Sequence, residues 1–260
     1  MDRRAHRRAP AGDRTVARGG AGPLTVAIHQ PEAFPWLGFF DKLARADVFV
    51  LLDSVQFRKN YFQNRNRIRT AEGWVWITVP VLTAGRASQE IAAVEINDTV
   101  DWRSKLRRAL SLHYGRAPQF AVQRGPLFEI LDRPWERLAD LNITVIAWLA
   151  EALGIRRRMV RSSELGVDGA RSELLLNVCR RLGASEYLSG ISGRTYLDES
   201  LFAGAGIVVQ YQEFHHPVYR QCYEPFVPCM SALDLLFTHG PEAGPLLMTP
   251  DSPRLAEVFV

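Results

Sequence analysis

Residues 24–29, Leu-Thr-Val-Ala-Ile-His, and residues 47–53, Asp-Val-Phe-Val-Leu-Leu-Asp, together decide the fold. Both are short apolar runs, the first β-branched, as expected of strands buried on both faces. Between them Trp36, Phe39, Phe40 and Leu43 recur at helical spacing, which predicts a helix over residues 36–46. Strand, helix and strand within about thirty residues make a βαβ unit with parallel strands.

Outward from this unit the chain first becomes mixed. Residues 54–70 are polar and aromatic without a clear period, residues 74–82 read as a third strand with Pro80 near its end, and residues 91–96 as a fourth. Residues 102–114, 118–132 and 134–153 read as helices, with Asp98 and Asp101 as candidate caps and Gly154 closing the last. Alternation then returns. Strands are expected at residues 158–163, 186–188 and 207–211, and helices at residues 171–182, 196–202 and 231–239. The expectation is an α/β fold, with a mostly parallel sheet built from βαβ units and a helical insertion at about residues 101–155.

Composition narrows the class. The chain has 260 residues and a formal net charge of +4. Residues 1–23 hold six arginines against two acids and so carry that entire charge. They read as a disordered basic tail, and residues 24–260 as one charge-neutral α/β domain. A neutral body has no electrostatic footprint for a polyanion, so no nucleic-acid partner is expected. No run of eighteen apolar residues occurs, so no membrane span is expected. Three cysteines, Cys179, Cys222 and Cys229, fit a reducing cytoplasm. They form no C-x-x-C pair, and no metal site is expected. Lysine is nearly absent, with Lys42, Lys59 and Lys105 against 29 arginines.

Four groups of residues could carry chemistry. His29 and Asp53 close two parallel strands, the edge where open α/β sheets bind ligands. If the strands are adjacent, Asp53 could fix the tautomer of His29 for general-base work; alternatively Asp53 caps a turn and His29 is a satisfied core residue. The segment 56–67 holds Gln56, Arg58, Asn64, Arg65, Asn66, Arg67 and further amides; it could read a polar or anionic substrate, could meet nucleic acid through its interleaved bases and aromatics, which the neutral body disfavours, or could be an ordinary hydrogen-bonded loop. Ser189 and Gly190, after a strand, could present backbone amides to an anion. Tandem His215-His216 stand before Tyr219 and Gln221, without a visible metal-ligand set. Ser231 and Asp234 form a helix-capping signature.

Several of these strings resemble a known family. Ile28-His29-Gln30-Pro31, Pro35-Trp36-Leu37-Gly38-Phe39-Phe40-Asp41-Lys42, Val55-Gln56-Phe57 and Gln63-Asn64-Arg65-Asn66-Arg67 are similar to the WbqC-like protein family. So are Tyr187-Leu188-Ser189-Gly190, Tyr219-Arg220-Gln221 and Ser231-Ala232-Leu233-Asp234. The resemblance runs from about Val26 to Gly240, and the tail has no counterpart in it. Ser54 departs from the pattern, since the family often has a second acid there. The family is associated with surface-polysaccharide, O-antigen and natural-product gene clusters. The resemblance implies a transferase that moves a glycyl or other acyl group onto an amino sugar, and assigns no residue a role.

Three functional expectations follow. The first is a cytoplasmic transferase in which His29 deprotonates an amine acceptor and Asp53 orients it. Gln30, Gln56, Arg58, Asn64, Arg65, Asn66, Tyr219 and Gln221 would read a small polar or anionic substrate, and Ser189 and Gly190 would hold an oxyanion. The second is nucleotidyl transfer, although the H-x-G-H signature is missing. The third is a non-catalytic ligand-binding or scaffold protein in complex with a biosynthetic partner, with Trp74, Trp76, Trp102 and Trp135 either at an interface or in the core. No cofactor is named by the residues.

Overall fold

The structure is a computed structural model, and it describes residues 22–86, 88–249 and 254–255. The basic-tail reading therefore falls almost entirely outside the described residues. Five parallel strands form the central sheet: β1 (Thr25–His29), β2 (Val48–Leu51), β5 (Arg158–Arg161), β6 (Glu186–Ser189) and β7 (Val208–Tyr211). Their order is β5-β2-β1-β6-β7. Helix α1 (Leu37–Arg45) links β1 to β2, as the alternation of apolar residues requires. Helices α5 (Arg171–Leu182) and α6 (Glu199–Gly204) make the later crossovers.

The pleat sorts the strand residues into two cores. Ala27, Phe49, Leu51 and Leu188 join the larger core, beneath α1 and the inserted elements. Val26, Ile28, Val48, Val50 and Tyr187 join the smaller core, with Leu174, Val178 and Phe202 of α5 and α6. Burial on both faces explains why these strands read as continuous apolar runs.

Between β2 and β5 lie a hairpin of β3 (Arg65–Thr70) and β4 (Gly73–Thr78) and three helices, α2 (Trp102–Tyr114), α3 (Phe120–Asp132) and α4 (Leu138–Ala152). A short ladder joins β8 (His216–Pro217) to β9 (Arg254–Leu255), and α7 (Ala232–His239) and α8 (Ala243–Met248) pack under the larger core. Ser231 caps α7 with its hydroxyl on the Leu233 amide, 3.3 Å away, as its sequence signature foretold.

Two expectations on secondary structure are corrected. The fourth strand is absent; Ile91–Ala93 form a short 3-10 turn whose buried Ile91 anchors it in the core. The aperiodic stretch instead contains β3. Its Arg-Asn-Arg-Ile-Arg-Thr sequence hides the alternation, because Asn66, not an apolar residue, faces inward beside Ile68.

The sheet order fixes where a ligand can sit. From β1 the chain runs to one side, through β2 to β5, and later to the other side, through β6 to β7. The chain therefore leaves the carboxyl ends of the neighbouring strands β1 and β6 in opposite directions, which makes a topological switch point, the crevice open α/β sheets use for ligands.

Candidate active site at the switch point

A cavity of about 640 Å³ opens at this crevice. That volume suits a drug- or sugar-sized ligand. His29, Gln30 and Glu32 line it from β1 and the following loop, Lys42 from α1, and Gly190 from the end of β6. Its aromatic walls include Trp36, Tyr61, Phe62 and Phe214. The Trp36 indole packs against Gly38, where a Cβ would come within 2.4 Å of the ring, so the close approach requires glycine. Asn142 of α4 donates to the carbonyls of Pro31 (3.0 Å) and Gln63 (2.8 Å), tying both cavity loops to the helical insertion.

Three titratable groups meet inside. His29 Nε2 lies 3.1 Å from Glu32 Oε1. Hydrogen bonding to a carboxylate makes Nε2 the protonated nitrogen and leaves Nδ1 with the lone pair. Phe39 fixes the imidazole from the other side, edge-on at 5.0 Å. The second Glu32 oxygen, Oε2, is buried and has no hydrogen-bond partner among the described residues. Lys42 is 3% exposed, and its Nζ donates to the Ile28 carbonyl at 2.8 Å. Burial pulls the Lys42 ammonium down from 10.5 to about 8, with the Glu32 charge acting in the opposite sense.

Asp53 is not the partner of His29. It lies two residues beyond β2, which is adjacent to β1 as expected, but its carboxylate turns to β5 on the far side. There it accepts from Arg161 Nε (2.7 Å), the Ser163 amide (2.9 Å) and hydroxyl (2.9 Å), and the Ser162 hydroxyl (3.1 Å). Arg161 in turn holds Asp140 of α4 at 2.7 Å. Asp53 is fully buried and pins the sheet edge to the insertion.

The amide-rich segment also divides. Gln30 and Arg58 line the cavity. Gln63 frames it, accepting from the Arg58 amide (2.6 Å) and donating to Gln30 Oε1 (2.7 Å). Asn64 and Asn66 are buried and donate to the carbonyls of Val79 and Ala33, so they fasten loops. Gln56 is exposed and bridges to Glu90, outside the cavity lining. Arg65 stacks on Trp76, also outside it. Ser189 is buried, its hydroxyl turned onto the Gly190 carbonyl, while Gly190 itself lines the cavity.

Tyr219 and Gln221 belong to a different cluster. Asp234, fully buried, accepts from Tyr114 (2.8 Å), Tyr219 (2.8 Å) and Gln221 Nε2 (2.9 Å). Gln221 Oε1 receives Arg69 Nε, and the rest of that guanidinium bonds the carbonyls of Thr70, Gly73, Tyr223 and Pro225. Burial pushes the Asp234 carboxyl up, against the pull of its three side-chain donors. Of the tandem histidines, His215 lines the cavity and His216 is buried between the Pro217 carbonyl and the Cys229 amide. Burial pushes the thiols of Cys179, Cys222 and Cys229 up to about 12, 11 and 11, away from nucleophilic thiolates. Among the described residues, no group of three His, Cys, Asp or Glu side chains could hold a metal ion, and no helix is long and apolar enough to cross a membrane.

Sequence reasoning missed Glu32 and Lys42 as residues of the cavity. The available signal was the scarcity of lysine. A lone lysine inside the apolar stretch Leu37-Gly38-Phe39-Phe40-Asp41-Lys42-Leu43 stands where a chain so rich in arginine uses a different cation. Lysine, unlike arginine, can lose its proton when buried.

Fold and cavity define a parallel-sheet α/β protein with a polar, aromatic-walled site at its switch point. The chain belongs to the WbqC-like protein family, whose family model matches residues 30–245. It is similar to the uncharacterized protein Rv1507c of Mycobacterium tuberculosis (strain ATCC 25618 / H37Rv), being 38% identical over 220 residues that span 84% of this chain and 95% of that protein. No solved structure matches the chain.

Proposed function

We propose that the protein is a transferase that moves a small acyl or aminoacyl group, such as glycyl, onto the amine of an acceptor such as an amino sugar, in surface-polysaccharide or natural-product biosynthesis. The observation that carries this reading is the convergence of His29, Glu32 and Lys42 on one cavity. His29 Nδ1 takes a proton from the acceptor ammonium, while Glu32 holds the ring through Nε2. The freed amine attacks the acyl carbon, the C–N bond forms, and the bond to the carrier sulfur or oxygen breaks. Lys42, with its ammonium lowered to about 8, gives a proton to that leaving group and takes back the second proton, which the attacking nitrogen sheds as it becomes an amide. The aromatic walls suit the apolar face of a sugar, and the spare Glu32 oxygen suits a substrate hydroxyl or ammonium.

The test is amide formation, read by mass spectrometry, across acyl-coenzyme A thioesters and aminoacyl-tRNA as donors and amino sugars as acceptors, free or nucleotide-linked. One pair should yield an amide, and His29→Ala should slow it about 10²- to 10⁴-fold with an unchanged melting temperature. No amide from any pair, or full activity in His29→Ala, overturns the reading.

A further inference from the structure

Beside the cavity lies a strip of cations that meet aromatic faces and no acids. Arg58 Cζ sits 4.6 Å over the Tyr61 ring and Arg65 Cζ 4.2 Å over Trp76. Arg67 Cζ lies 5.4 Å from the Trp74 ring and 6.0 Å from Trp76. Among the described residues, none of these three guanidinium groups donates a hydrogen bond or pairs with a carboxylate, and the Nε of Arg65 and of Arg67 is enclosed without an acceptor. Arg69, next on the same strand face, has its guanidinium bonded throughout. The strip is continuous with the cavity, whose walls Tyr61 and Phe62 form. Phe62 meets Trp76 at 5.9 Å, and Trp76 meets Trp74 at 5.4 Å. Trp74 ends the strip 44% exposed.

A guanidinium whose face meets a ring keeps its N–H donors for other partners, and a phosphate can accept two of them at once. An exposed indole offers a face on which a base stacks. Three cations without an acid call for an anion, and the neutral body points to a small one, not a polymer.

We propose that this strip binds the nucleoside diphosphate part of a substrate, with the base on Trp74 and the phosphates at Arg65 and Arg67, so that the reactive end reaches the cavity. A coenzyme A donor and a nucleotide-linked amino-sugar acceptor share this group. The assignment of the far end rests on the transferase reading; binding at the strip does not.

Isothermal titration of the full chain at low salt tests it, with coenzyme A, UDP, uridine, inorganic pyrophosphate and a short oligothymidylate. Coenzyme A, UDP or both should bind at least tenfold tighter than uridine or pyrophosphate, and which of them binds assigns the strip to donor, acceptor or either. The pair Arg65→Gln/Arg67→Gln and the single variant Trp74→Ala should each weaken that binding roughly tenfold or more, and Lys105→Gln, on the exposed side of α2, should not. Melting curves check folding, and where one variant fails to fold the other decides. Absence of binding by both nucleotides, equal binding in the folded variants, or tighter binding of the oligothymidylate overturns the proposal. Nucleotide binding without amide formation from any pair sinks the transferase and leaves the strip. Amide formation from nucleotide-free substrates, with no nucleotide bound, does the reverse.

Discussion

Two buried polar clusters, one around Asp234 and one around Glu32, show what separates framework from site. Both Asp234 oxygens are taken, by Tyr114 on one and by Tyr219 and Gln221 on the other. Glu32 spends one oxygen on His29 and leaves the other buried without a partner, at the wall of a cavity. Arg69 near Asp234 is permanently charged and bonded throughout, whereas Lys42 near Glu32 makes one bond and holds its proton loosely. A satisfied cluster gives rigidity, since each partner lost leaves a donor or acceptor stranded. An unsatisfied one beside open space has interactions left for a substrate.

The contrast can be broken from either side, and the largest effect lies at Asp234. Asp234→Ala strands three donors and should cost about 3–5 kcal/mol in urea unfolding. A loss below 1 kcal/mol would put Asp234 outside the framework.

Lys42 comes next. Its proton is held less tightly in the folded chain than in the unfolded one, so a charged Lys42 burdens the native state below about pH 8. As pH rises from about 8 to 10.5, the folded chain sheds that proton while the unfolded chain keeps it, and stability gains. Relative to Lys42→Met, the wild type should gain up to ~3 kcal/mol across that window. A flat difference would mean that Lys42 keeps an ordinary proton affinity.

The same titration marks turnover. Amide formation should fall above about pH 8 as the Lys42 ammonium is lost, and Lys42→Arg should be slower but lack that alkaline limb. An unchanged limb in Lys42→Arg would assign it to another group. The smallest effect is expected for Glu32→Gln, whose stability should stay within about 1 kcal/mol of wild type, because one hydrogen bond changes character and the charge removed is only the lesser influence on Lys42, after burial.

Much of the architecture is legible in the amino-acid sequence. The apolar runs around Val26 and Phe49 specify β1 and β2, and the strand-edge rule leads from them to His29, which lines the cavity, and to Asp53, which does not. Ser231 announced its cap. What the sequence hid was pairing. His29 and Asp53 end adjacent strands, yet side-chain direction at the end of β2 depends on β5, which arrives more than a hundred residues later. Asn64 and Asn66 look like recognition groups because an amide that reads a substrate and one that fastens a loop are the same residue type. Tyr219, Gln221 and Asp234 stand in strings typical of the family, and only the folded structure shows that they share one hydrogen-bond network with Tyr114 and Arg69.

The central claim is that Glu32, and not Asp53, serves His29. Its most direct test is the rate of amide formation per folded molecule in Glu32→Gln and in Asp53→Asn, measured side by side with the folded fraction of each. Glu32→Gln should lose at least roughly tenfold in kcat at an unchanged melting temperature. Asp53→Asn should melt earlier and keep its kcat per folded molecule. A full rate in Glu32→Gln together with a collapsed rate in folded Asp53→Asn would contradict the account.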